Sequence, residues 1–178
     1  MSRISRNALA TAVRKVRAMD LAQQERLADE LFAAQPHVLA SFLVQQKLGV
    51  SLSKMNFLIE IMLVCFQAMK ESGLIWPQIS EDEQERQMSR FSGSVAFGEG
   101  LPADLRAQAM RQYIDGHPEK DLLAFVHDET VHWLQRVDPE ESDKFVMIVA
   151  LNFVNCIAFV PLPLPPQSGT SRKSQRKR

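Results

Sequence analysis

The stretch Met55–Met69, MNFLIEIMLVCFQAM, decides how the rest of this 178-residue chain is read. Its polar residues are Asn56, Glu60 and Gln67. At about 100° per residue of α-helix, these three fall within roughly 40° of one another. The rest of the circumference is apolar, which is the pattern of a helix enclosed by others and showing one narrow polar strip. Ser51 or Ser53 marks its start and Gly73 its stop, so the helix is predicted at about 52–71. Met55, Met62 and Met69 recur every seven residues. A methionine stripe can line an adaptable groove, but core packing is its commoner cause.

The same periodicity extends in both directions, and no long run alternates apolar and polar with period two. Upstream, a first helix is predicted at about 4–18, with Ile4, Ala8, Ala12, Val13 and Val16 near one side. Asp20 reads as the N-cap of a second helix to about Ala34, whose core stripe would be Leu21, Leu27, Leu31 and Phe32. Pro36 opens a third helix, which Gly49 ends. Downstream, Ser80 with Glu83 forms a capping box ahead of a fifth. The segment FSGSVAFGEGLP, 91–102, is expected to leave the helix, with Val95 and Phe97 pinning it to the core. A sixth helix follows Pro102 to near Gly116, and HPEKDLLAFVHDETVHWLQRV is the seventh. Asp138-Pro139-Glu140-Glu141 supplies cap, first-turn proline and acids for an eighth, to about Val160.

The predicted fold is therefore all-α, a single-domain bundle of seven or eight helices with 52–71 and 140–160 at its centre. Residues 1–19 form a basic N-terminal helix, 20–160 an acidic helical domain, and 161–178 a Pro-rich linker with a disordered basic C-terminal tail. FAAQPHVLASFLV (32–44) resembles YIDGHPEKDLLAFV (113–126) in pattern, and each precedes a long apolar helix. That hints at a weak two-fold helical-hairpin repeat; generic hairpin patterning is the alternative.

A net charge of zero hides an uneven layout. Residues 1–19 hold five bases and no acid, and 172–178 hold five more. Residues 20–171 hold eleven bases against all 21 acids, a net of −10. Arg14, Lys15, Arg17, Arg172, Lys173, Arg176, Lys177 and Arg178 are thus the candidates for gripping a polyanion, unless the ends fold back on the acidic body.

Cys65 and Cys156 sit in apolar runs, which suits buried reduced thiols rather than a disulfide framework or a reactive thiolate. The N-terminal sequence has no apolar stretch of signal-peptide type, so a cytoplasmic location is expected. Phe145–Leu164 is uncharged over twenty residues, but Asn152 and Asn155 interrupt it and prolines break its end. It reads as a buried helix rather than a membrane span, and its asparagines would find partners on the polar strip of 52–71.

HDETVH, 127–132, is the one stretch that resembles a metal motif. Its histidines are five apart, about 140° around a helix, so they cannot share an ion. Glu129 and His132 do share a face, as in the Glu-x-x-His element of carboxylate-bridged bundles, but no second copy exists. Glu60 is the only further ligand to consider, so no metal or other cofactor is assigned. His127, Asp128 and Glu129 are otherwise expected to be solvated, with His132 bonding Asp128 one turn earlier. Gly98–Ala103 fits Gly-x-Gly-x-x-Ala but lacks the parallel strand that a dinucleotide site requires. No nucleophile elbow or phosphate loop is present. The expected function is a non-enzymatic helical protein-binding or adaptor protein. The alternatives are a nucleic-acid or other polyanion-associated protein using its basic ends, and a metal-dependent enzyme around Glu129 and His132.

Overall fold

A computed structural model describes residues 2–98 and 102–163, with backbone alone for 93–98 and 103. Eight α-helices account for most of it: α1 (Arg6–Arg17), α2 (Leu21–Ala34), α3 (Pro36–Leu43), α4 (Leu52–Glu71), α5 (Glu81–Gly98), α6 (Ala103–Gly116), α7 (Lys120–Leu134) and α8 (Asp143–Phe159). A 3-10 turn, Val44–Leu48, continues α3. Arg172, Lys173, Arg176, Lys177 and Arg178 lie outside the described residues.

Local chemistry sets the helix ends. Ser5 accepts from the Ala8 N–H at the start of α1, and Asp20 forms a reciprocal capping box with Gln23 at the start of α2. Gly49 and Gly73 turn the chain at φ +95° and +69°, the left-handed region that side chains avoid.

The two most apolar helices, α4 and α8, pack on each other at the centre. Among the described residues, Leu52–Glu71 is the one helix long and apolar enough to cross a membrane, and it is mostly buried against its neighbours. Met55, Met62 and Met69 all lie in the core. So do both cysteine thiols, and burial pushes each pKa up to about 12.

Several packing partners correspond between α1–α4 and α5–α8, although α2 also packs on α4 and α3 on α8 without counterparts of the same strength. α1 packs on α4 as α5 packs on α8; α2 meets α3 as α6 meets α7; α3 meets α4 as α7 meets α8. Each half also reaches into the other, α1 onto α7 and α5 onto α3. The correspondence between the two sets of helices is therefore partial.

Three expectations are corrected. First, the helix that begins at Glu81 runs on through Gly93 to Gly98 instead of opening into a loop at Phe91. An internal glycine costs about 1 kcal/mol, which packing of α5 on α8, with Phe91 buried, outweighs. The side chains of Val95 and Phe97, and residues 99–101, lie outside the described residues. Second, α8 begins at Asp143 rather than Asp138. The Asp138 carbonyl instead accepts from Lys54 Nζ at 2.9 Å. Third, Leu27 and Leu31 are buried on α2, but Leu21 is 71% exposed and Phe32 63%. The apolar stripe of α2 is wider than the surface that α3 and α4 cover.

Candidate functional site

The last turn of α1 carries Arg14, Lys15 and Arg17, near the helix end that favours cations. Two of the three are directed at carboxylates of other helices. Lys15 Nζ lies 2.6 Å from Glu71 Oε1, and Arg17 Nη2 lies 2.7 Å from Glu129 Oε2. Arg17 Nε is also 3.7 Å from Glu60 Oε1. Earlier in α1, Arg6 Nε meets Asp121 Oδ2 at 2.9 Å. These bonds with lysine and arginine hold the carboxyls of Glu71 and Asp121 below their usual range. Arg14 turns back onto its own helix, towards the Ala10 carbonyl and Thr11. The basic N-terminal segment therefore answers part of the body's negative charge.

The same contacts locate the residues considered for a metal. Glu60 on α4 and Glu129 on α7 do converge, and the cation between them is the Arg17 guanidinium. His132 is exposed and is not among their partners. Among the described residues no group of three or more His, Cys, Asp or Glu side chains is arranged to hold an ion. Asp128 accepts from its neighbour His127 at 3.0 Å, not from His132 one turn away.

Beside Arg17 a groove of about 550 Å³ opens between α2 and α4. Val16, Ala28, Ile59 and Leu63 give it apolar walls, and Glu25 and Glu60 stand at its edge. Leu21 lines it while remaining largely exposed. Leu52, 68% exposed, precedes Asn56 by one turn and so extends the same face of α4. The polar strip at Asn56 and Glu60 is thus one wall of this groove. It was legible in the sequence; the exposed leucines were not, because their spacing matches a core stripe.

The asparagines of α8 do not meet that strip. Asn152 Nδ2 donates to the Gln84 carbonyl on α5 at 3.1 Å. Asn152 Oδ1 is the one buried side-chain acceptor among the described residues without a partner. Asn155 Oδ1 accepts two bonds, from Tyr113 Oη at 2.9 Å and from His117 Nε2 at 3.0 Å. The histidine tautomer follows from its other nitrogen, since Nδ1 accepts the Glu119 N–H at 3.1 Å. Burial lowers the His117 pKa against the opposing pull of Asn155 and Glu119, and burial raises that of Tyr113. These residues border a second cavity, about 510 Å³, between α5, α6 and α8. The sequence flagged the two asparagines as needing partners but could not say which, because α4 and α8 are apolar on nearly every side.

Two buried charges also had no signal in the sequence. Glu119 is fully buried and accepts from Ser2 Oγ (2.6 Å), Arg3 N–H (2.5 Å) and Ile4 N–H (3.1 Å). Arg3 Nη1 in turn donates to the Ile157 and Val160 carbonyls, closing the end of α8. Lys54 is buried under the Asp143 and Glu140 carboxylates. Both pin one helix end to a distant segment.

No protein-family model matches the chain, and neither a curated protein nor a solved structure matches it significantly.

Proposed function

We propose that this protein is a binding or adaptor protein that receives a basic amphipathic helix of another protein in the groove between α2 and α4. The observation that carries the reading is a groove with apolar walls and glutamates at its edge, lined by the exposed Leu21 and continued one turn beyond Asn56 by the exposed Leu52. Helix-in-groove recognition needs these parts: a row of apolar contacts for affinity and edge charges for orientation. Covering the two leucines would contribute on the order of 3 kcal/mol. The Arg17 guanidinium is already shared by Glu60 and Glu129, so the open charge of the edge is negative and favours a cationic partner. Lys15 and Arg17 would have to give up carboxylate partners to grip a polyanion, which weighs towards the protein-binding reading.

The test uses two designed amphipathic peptides with the same leucine face, one carrying lysines on the other face and the second glutamates. Fluorescence titration of the full chain is expected to show saturable, salt-sensitive binding of the lysine peptide and none of the glutamate peptide. Leu21→Ala with Leu52→Ala should weaken binding about tenfold or more. Equal binding of both peptides, or of neither, counts against the proposal.

A further inference from the structure

Phe32 continues the groove between α2 and α4 beyond the residues that line it. Ala28 and Phe32 follow Leu21 by seven and eleven residues on α2. At about 100° per residue, the three share an arc of about 40°. Leu21 and Ala28 line the groove, and Phe32 is 63% exposed on the same face, one turn past Ala28. The α2 wall therefore runs about 16 Å, or three turns, from a leucine at one end to an exposed phenyl ring at the other.

The carboxylates that edge the groove stand towards the leucine end of this wall. Glu25 lies one turn after Leu21, and Glu60 is approached by Arg17, which precedes Leu21 by four residues. The two helices run in the same sense, since Arg17 ahead of α2 meets the middle of α4, and Glu30 near the end of α2 pairs with Lys70 in the last turn of α4. A helix laid antiparallel to them sets its C-terminal carbonyls at the end where α2 begins, and there the dipoles attract. Lysines in its last turns suit its own C-terminus and face Glu25 and Glu60. On the reading that this groove receives a basic amphipathic helix, we propose that the helix lies antiparallel to α2, with an aromatic residue of its first turn on Phe32 and lysines of its last turns against Glu25 and Glu60. Stacking of that residue on Phe32 adds to the area the ring buries.

The probes are two acetylated and amidated peptides of about fourteen residues, four turns of helix. They share a leucine face and lysines in the last turns, and differ only in whether tryptophan stands in the first turn or the last, exchanged with a leucine. Each is titrated into the full chain and followed by tryptophan emission. The peptide with tryptophan in its first turn is expected to bind about threefold more tightly, or better. Phe32→Ala, at an exposed position that the fold does not need, should abolish the difference. A nitroxide on the first residue of the tighter peptide should broaden the Phe32 ring resonances and leave the Leu21 methyls sharp. Binding of neither peptide removes the groove reading, and this proposal with it. Equal binding of the two, a difference that survives Phe32→Ala, or broadening centred on Leu21 would each overturn the proposal and leave the groove reading standing.

Discussion

Arg17 lies between Glu129 and Glu60, 2.7 Å from the first and 3.7 Å from the second, and so joins α1 to both α7 and α4. The two glutamates were the residues that a metal reading required, and an arginine already supplies the positive charge between them. All three side chains are partly open to solvent, so the bridge is worth little energy and is easily screened. Arg17→Ala should lower stability by about 0.5–1 kcal/mol at low salt, and the difference should vanish near about 1 M salt. Urea unfolding at two salt concentrations measures this. A loss that persists at high salt would mean that Arg17 acts through packing instead.

Lys54 is a different case, because its head group is buried while its partners reach the surface. Removing it alone strands Asp143 and the Asp138 carbonyl. Lys54→Ala is expected to cost about 3 kcal/mol, and Lys54→Met with Asp143→Asn less than that single change. Burial pulls the Lys54 pKa down, the hydrogen bonds and charges of Asp143 and Glu140 push it up, and the net direction is up. A raised lysine stabilises below its unfolded value of 10.5 and loses that contribution as pH rises through the folded value. Its signature is therefore alkaline. Denaturation of the variants at neutral pH checks the energies, and a loss below about 1 kcal/mol for Lys54→Ala would refute this role.

His117 gives the opposite pH behaviour. Its folded pKa lies below the ordinary 6.5, so on acidification the unfolded chain takes up the proton first. Stability should fall as pH drops below about 6.5, by at most about 1.4 kcal/mol per pH unit. His117→Gln should flatten this part of the profile. Glu71 and Asp121, whose carboxyl pKa values are lowered, contribute above their unfolded values of 4.5 and 3.8 and lose that contribution at lower pH. The comparison between about pH 7 and pH 5 therefore isolates the histidine, and parallel profiles for wild type and variant would disprove the assignment.

The continuation of α5 can be tested at Ser92, which is exposed and well inside Glu81–Gly98. Ser92→Pro removes a helical hydrogen bond and should cost about 3 kcal/mol, where a loop would absorb it at little cost. Thermal unfolding distinguishes the two outcomes.

What the sequence showed depended on whether a residue's environment is local. The cap at Asp20, the turns at Gly49 and Gly73, and the buried centre of α4 follow from short-range pattern, and the structure has them where the pattern placed them. Leu21 and Phe32 were misread because helical spacing says which residues share a face, not whether another helix covers it. Phe91–Gly98 was misread because its glycines and serines favour a loop, while α8 holds the segment helical. Tyr113, His117 and Asn155 come together from two helices and the turn between α6 and α7, a relation no linear spacing encodes.

A basic amphipathic helix received in the groove between α2 and α4 must cover Leu21 and the face of α4 that carries Ile59 and Leu63. Methyl chemical-shift mapping with the lysine–leucine peptide tests it most directly. The largest shifts are expected at Leu21, Leu52, Ile59 and Leu63, with the Asn155 region unmoved. Shifts centred elsewhere on the surface, or none at saturating peptide, would contradict it.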